Sequence, residues 1–392
     1  MLAQFGGDLT SIIIFIILFI ISIFFGPRLM SSQAIMKLEQ EASNLEEMAE
    51  RSKNYIIKAI SKKSEPKLRE NVSNFLEFFA ISPVDADPYG LIKKIDHIVK
   101  NSDQRFNYFV NQIAPDLTMQ RKRDIKNALE GAMMTHQIAK IVRHYLELIK
   151  KYKMFQLAMI IQMQLPLITR VAKAAMHATH AFVDGLAIGD GIGPLVAANL
   201  MKGNTKLYKE EEFAVAEVNL AGRNVFVAKA EGPGASTGFP GKFLINFTKN
   251  HKINKIITID AALKLEGEKT GAIAEGVGVA MGGSGVDRYE IEDIAVKRNI
   301  PLDAVAIKLS EEDALEPMKN EVLNAVPKAI ENVKKAVLRS NKNDKILILG
   351  VGNSCGIGND FNSLSKAEEK IKEHIQKASE EKKVKSKYII KI

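Results

Sequence analysis

The sequence predicts an α/β carboxyl-terminal domain with a largely parallel sheet, preceded by an all-α region and a single N-terminal transmembrane helix. Three observations carry that expectation: an uncharged apolar run near the start, long apolar stripes at helical spacing through the first half, and short β-rich runs alternating with helical ones after about Gly185. A chain of 392 residues that is 46% hydrophobic can bury a sizeable core, which excludes a disordered protein. The expected boundaries are an anchor at 1–28, a helical stalk at 29–65, a helical domain at 66–185, a glycine-rich α/β domain at 186–365 and a Lys-rich tail at 366–392.

The anchor comes first. No charge lies between Asp8 and Arg28, and Leu9 to Phe25 reads LTSIIIFIILFIISIFF, close to the ~20 apolar residues that span hydrocarbon. A cleaved signal peptide would carry Lys or Arg before the run and small residues after it, and neither is present. Arg28, Lys37, Arg51 and Lys53 follow the run while no cation precedes it, so the positive-inside rule places the bulk of the chain in the cytoplasm of a single-pass cell-membrane protein. The lone cysteine, Cys355, excludes an internal disulfide and fits a reducing compartment. The balance of 55 Lys+Arg against 46 Asp+Glu gives +9, suited to anionic lipid; without a nucleic-acid motif, no nucleic-acid partner is expected.

Beyond the anchor, Ile35, Leu38, Ala42, Leu45, Ala49, Ser52, Ile56 and Ala59 alternate spacings of three and four. That is the seam of a short coiled coil, which would make a homo-oligomer, or of a helix packed on the protein's own helical middle. The stretch Ser61 to Glu70 reads as a linker, and Pro83 and Pro88 mark a second loop. Leu91, Ile95, Ile98, Phe106, Phe109 and Ile113 trace one amphipathic helix, and Ile125, Leu129, Met133, Val142, Leu146 and Ile149 another. His136 falls on the second stripe as a satisfied core histidine. Met154 to Ile168 is uncharged but holds three Gln and Pro166, which favours a buried helix over a second membrane span. His177, His180 and Asp184 share a helical face with Arg170 and Lys173, and those two cations favour a solvated stripe over a metal site.

In the α/β domain the strand candidates are FAVAEV, NVFVAKA, KIITID, AIAEGVGVAM, AVAIKL and KILILGVG. Helices are expected near Gly193–Met201, Gly241–His251, Val286–Asn299 and Glu311–Arg339, the last with Ser310 as N-cap and kinked or split by Pro327. Four carboxylates sit in or beside glycine-rich turns: Asp190 in IGDGIGP, Asp260 at the end of KIITID, Asp287 after AMGGSGV, and Asp360 closing GVGNSCGIGND. Loops at the carboxyl ends of parallel strands gather on one edge, where these four residues would hold a divalent metal cation. The alternative is local turn bonding and helix capping. GPGASTGFPGKF offers backbone N–H groups to an anion, but Ser236 and Phe243 stand where a Walker loop needs Gly and Ser/Thr. GVGNSCG lacks the acidic partner of a dinucleotide fingerprint, and Cys355 within it reads as a structural thiol.

Taken whole, the order of anchor, helical middle and glycine-rich end resembles an archaeal family of membrane-anchored proteins of unknown function. Locally, GDGIGPLVAANL, KIITIDAALKLEGEKTGAI and ILGVGN resemble the DDGxGPxV helix start, the IIVDAV…GEPGTI strand and turn, and the first strand of hydrogenase-maturation endopeptidases. The ILGVGN-like strand comes last here, so the match requires circular permutation. The resemblance implies metal contact by Asp190 and Asp260, with Asp287 standing where that family has histidine. Two functions follow as expectations: a metal-dependent hydrolase or peptidase-like domain, or a non-catalytic membrane-tethered scaffold or small-ligand sensor. The tail, with Lys382, Lys383, Lys385, Lys387 and Lys391, reads as a solvated end, with contact to anionic headgroups or an edge strand at KYIIKI as alternatives.

Overall fold

The apolar stripe from Ile35 to Ala59 belongs to one continuous helix, α1 (Phe5–Ile60), which also takes in the backbone of the apolar run before it. The computed structural model describes residues 5–61, 65–78, 90–202, 204–279, 281 and 285–389; side chains of 5–18, 20–31 and 381–389 fall outside that description. Four helices follow α1: α2 (Pro66–Leu76), α3 (Leu91–Ile113), α4 (Met119–Tyr152) and α5 (Phe155–Asp184). The expected linker at Ser61–Glu70 is shorter than its breakers suggested, because Pro66 opens α2, where its missing N–H costs nothing. The loop expected at Pro83 and Pro88 lies outside the described residues.

The chain forms two units, one of Met1–Arg51 with Met134–Lys173 and one of Ser52–Met133 with Ala174–Ile392. In the first, Leu38, Ala42, Leu45 and Ala49 of α1 are buried against Ala139, Val142, Leu146 and Ile149 of α4 and Ala158, Leu165 and Ala172 of α5. The stalk seam is therefore filled by helices of its own chain. Arg143 grips Glu46 and Lys150 reaches Glu39 at 2.8 Å, exposed pairs that set register and add little stability. The expectation of a buried helix at Met154–Ile168 is corrected. Only 17% of the apolar window of α5 is buried, and among the described residues α5 is the helix long and apolar enough to cross a membrane.

The second unit holds the sheet. A 3-10 turn (Gly189–Gly191) leads into α6 (Ile192–Leu200), followed by β1 (Thr205–Tyr208), β2 (Phe213–Leu220), β3 (Arg223–Ala230), α7 (Pro240–Asn250), β4 (Lys255–Leu263), β5 (Ile273–Val277), α8 (Val286–Arg298) and β6 (Leu302–Leu309). Then come α9 (Glu311–Leu315), α10 (Asn320–Leu323), α11 (Val326–Leu338), β7 (Ile346–Gly350) and α12 (Leu364–Ile389). The strand order is β1-β2-β3-β7-β4-β6-β5. Only the middle four strands are parallel; β1 and β2 on one side and β5 on the other pair antiparallel, so the sheet is mixed rather than largely parallel. The cause is local. Ala221 and Gly222, with φ of 53° and 74°, make a two-residue turn that folds β2 and β3 into a hairpin.

Alternation along the strands divides the core. Ile257 and Ile259 of β4 and Ile346 and Ile348 of β7 face α6, α11 and α12, whereas Ile256, Leu347 and Leu349 face α7 and α8. The helix expected over Glu311–Arg339 is three pieces, and Pro327, second residue of α11, starts the last of them. Ser310 caps α9: its Oγ accepts from the Asp313 N–H at 3.1 Å, and the Asp313 carboxylate accepts from the Ser310 N–H in return. Ser310→Ala is expected to cost about 1 kcal/mol in chemical denaturation; an unchanged midpoint would show the cap to be idle. The start of the tail is helical, α12 running from Leu364 with Leu364 and Ile371 buried in the α6/α11 core and Ala367 buried between them; the side chains of the Lys-rich end from 381 and residues 390–392, on which the solvated, headgroup and edge-strand readings fall, lie outside the described residues.

Candidate functional site

A parallel β4–β7 pair exposes its carboxyl ends side by side, and the helices that follow them cover opposite faces of the sheet, α8 (reached from β4 by way of β5) on one and α12 on the other. Such a point opens a crevice. Here it is a cavity of about 450 Å³ bounded by Asp260–Leu263, the last four residues of β4, Leu309 at the end of β6 with Ser310 after it, Val351 and Gly352 after β7, and the starts of α7, α8 and α9. Asp190, Asp260, Asp287 and Glu311 line it, and no Lys, Arg or His is among the described lining residues.

Two glycines bring Asp190 to this edge. A Cβ on Gly193 would meet the Val351 carbonyl oxygen at 2.1 Å and that of Ile259 at 2.4 Å, so only glycine lets α6 start against the ends of β4 and β7. Gly352, at φ +128°, leaves room for the backbone of Asp190, 2.0 Å from where its Cβ would stand. The Asp190 Oδ2 then accepts the Asn353 N–H at 2.8 Å. Asp260 is 5% exposed and its Oδ1 accepts the Ala261 N–H at 2.7 Å. Burial raises the pKa of both carboxyls, and the charge of Asp190 pushes Asp260 further, well above the usual carboxylate range. Both carboxyls are thus pushed toward the protonated form, in a cavity whose described lining residues supply no cation.

Of the other expected ligands, Asp287 lines the same cavity from the first turn of α8. Its Oδ1 accepts the Gly241 N–H at 3.1 Å, tying α8 to α7, and burial raises its pKa. Asp360 is not part of the lining; its carboxylate accepts the Ser363 N–H at 2.8 Å as the cap of a 3-10 turn. Among the described residues, no group of three or more His, Cys, Asp or Glu is placed to hold a metal ion. The stripe His177, His180 and Asp184 is spent elsewhere: His177 Nδ1 lies 3.2 Å from Glu316, the His180 ring packs on Tyr55 at 4.0 Å, and Asp184 accepts the Tyr55 hydroxyl at 2.9 Å. His177 holds Glu316 down at a pKa of about 2, and burial with Asp184 pushes Tyr55 up to about 12.

The anion reading of GPGASTGFPGKF loses part of its support, since several of its N–H groups already have acceptors within the chain. Gly232 donates to Asn359, Ala235 to Asp124, Gly238 to Ser236 and Gly241 to Asp287. Cys355 is fully buried and burial drives its thiol pKa well up, as a structural thiol requires.

Sequence reasoning passed over Lys229. Its Nζ, fully buried, donates to the Ala230 carbonyl at 2.6 Å and to Ser354 Oγ at 3.2 Å, which fastens the β7 loop carrying Val351 to Asn353. The signal was in β3, where period two sets Lys229 on the inward face with Val225 and Val227. Burial lowers its pKa from 10.5 to about 7. The unfolded chain therefore binds this proton more tightly than the folded one, and stability rises as pH climbs from about 7 toward 10.5. In Lys229→Met that contribution is expected to vanish, so the stability of the native chain relative to the variant should grow across this alkaline window; parallel pH profiles would refute it.

Two models of one family match the chain: the N-terminal domain of a protein of unknown function (DUF1512) over residues 12–185, and the C-terminal domain of unknown function (DUF1512) over residues 188–358. A search of curated proteins found no match.

Proposed function

The chain belongs to the DUF1512 family, whose description names no activity, and from the geometry of its cavity we propose a membrane-anchored, divalent-cation-dependent hydrolase. The observation that carries this reading is the pair Asp190 and Asp260, both forced toward the protonated form in a cavity with no compensating cation among its described lining residues. A divalent ion is the partner such a pair lacks. Two carboxylates suit a cation that keeps several waters, such as Mg²⁺, and a bound ion would supply an acidified water for attack on an ester, amide or phosphoryl centre.

The chain's own part is to hold and exclude. Asn353 fixes the rotamer of Asp190 through its backbone N–H, Ala261 does the same for Asp260, and Leu263, Met281 and Leu309 give a substrate an apolar wall. Asp287 and Glu311 extend the negative lining, which favours substrates carrying an amine or guanidinium. A second reading, a sensor that binds a cation or cationic ligand without turnover, is favoured by the lack of a third ligand among the described residues. Titration calorimetry with Mg²⁺ and Mn²⁺ on the full chain tests binding, and release of product from ester, peptide and phosphoester panels separates the readings. Binding with no turnover selects the sensor; no binding ends both.

Anchoring through Leu9–Phe25 is part of the same proposal, supported by the composition of the run and by the helical backbone from Phe5. Resistance of the full chain to extraction by alkaline carbonate checks it.

A further inference from the structure

We propose that the outer face of α5 and the α4–α5 turn seat on an anionic lipid surface, as an interfacial contact separate from the anchor; this rests on the membrane reading above. Five apolar residues of α5, Phe155, Met159, Ile160, Met163 and Leu167, are exposed, Met163 at 70%, and they recur at intervals of one helical face. The opposite face, Ala158, Leu165 and Ala172, is the one packed on α1 and α4. A soluble helix does not leave this much apolar surface to water without a partner.

Charge says which partner. From Leu148 to Val183 there is no Asp or Glu, while Lys150, Lys151, Lys153, Arg170 and Lys173 all fall in that stretch. A second copy docking isologously would bring those cations against themselves. Anionic headgroups would not, and a cationic helix with an apolar face lies naturally in the headgroup layer. At the turn, Lys153 takes a left-handed φ of 54°, and Tyr152 stands 60% exposed with the Lys151 ammonium over its ring, a pairing suited to the polar–apolar boundary.

Position supports the same partner. Arg143 pairs with Glu46 and Lys150 with Glu39, so α4 runs opposite to α1 and its end points the way α1 continues toward Leu9–Phe25. Gly26–Gln33 separates that apolar run from Ala34, the first of the described α1 residues in the shared core. That is about 12 Å of helix, a gap filled by the headgroup layer together with long Lys, Tyr and Met side chains.

The test uses the full chain with single cysteines at exposed sites, Met159→Cys and Met163→Cys, carrying an environment-sensitive fluorophore; Cys355 is buried and does not label in the folded protein. Ile16→Cys reports on the anchor and the exposed Lys342→Cys on water. Vesicles are phosphatidylcholine with or without phosphatidylglycerol, and quenchers are aqueous iodide and lipids bearing a nitroxide at shallow or deep positions. The expected result is several-fold protection of 159 and 163 from iodide, strongest quenching by the shallow nitroxide, dependence on phosphatidylglycerol, and loss of that dependence in Lys151→Glu/Lys153→Glu. Labels at 159 and 163 open to iodide while 16 is protected would overturn this inference and leave the anchor standing. All three open would overturn both. Quenching of 163 by the deep nitroxide alone would replace the interfacial contact with a membrane crossing, and protection that grows with protein-to-lipid ratio would replace lipid with a second copy.

Discussion

A methyl group added at Gly193 is expected to cost the folded chain at least about 3 kcal/mol, because the new atom has backbone and not flexible side chain in its way. Its neighbours would be the carbonyl oxygens of Val351 and Ile259 at 2.1 and 2.4 Å. Neither can move alone. The Val351 N–H donates to the Ile259 oxygen at 2.8 Å, so the ends of β7 and β4 are tied to each other where α6 crosses them. Relief would require α6 to lift, and α6 carries Ile192, Leu195, Val196 and Ala198 in the core on that face of the sheet. The check is the urea midpoint of Gly193→Ala beside Gly276→Ala, whose Cβ would meet nothing within 4 Å. Equal midpoints would mean that the close approach at Gly193 is not what holds α6 in place. If the variant folds at all, lifting α6 displaces Asp190 from Asp260, so any cation affinity should fall with stability.

How much of this could be read beforehand differs from residue to residue, and the reason is physical in each case. Asp260 was legible because a carboxylate closing a β-branched run belongs near the carboxyl end of an inner strand, and β4 is an inner strand, although it runs three residues past Asp260 to Leu263 because Ala261, Ala262 and Leu263 go on pairing with β6. Asp190 was legible for a related reason: GDGIGP combines a tight turn with a proline suited to a first helical turn, and that turn abuts the sheet edge. Asp360 occurs in an equally glycine-rich loop, yet it caps a 3-10 turn, since sequence shows that a loop can bend but not which way its last side chain points. The hairpin escaped for another reason. Ala-Gly is a weak turn signal beside Asn-Gly, and a residue pair with two positive φ values is recognised only from the strands it joins. Four-residue β1, with no fully buried position, gave no pattern to find. The stalk seam was read correctly as a seam, but a stripe of apolar residues does not say whose helix fills it, and here α4 and α5 do.

Asp260→Asn should make the chain more stable and inert toward divalent cations at once, a combination that a purely structural carboxylate cannot give. In the absence of metal the folded pKa of Asp260 is raised, above the ~3.9 of an unfolded aspartate. Between those two values the folded state holds a proton that the unfolded state has lost, so stability is highest below about 3.9 and declines as pH rises through the window. At neutral pH and above, the native chain carries that cost, and asparagine, with no proton to lose, does not. Its Oδ1 can still accept the Ala261 N–H, and its amide can donate toward Asp190, so the local bonding survives. The expected gain for the variant without metal is about 1 kcal/mol near pH 8, vanishing toward pH 4. Adding Mg²⁺ in large excess should reverse the order, because ligation replaces the proton and stabilises the native chain by about 1–3 kcal/mol while leaving the variant where it was. Thermal melts of both proteins from pH 4 to 8, with Mg²⁺ and with chelator, read all four corners. A variant less stable than the native chain at every pH, or one that Mg²⁺ stabilises equally, would mean that the Asp190–Asp260 pair serves the fold and not a cation.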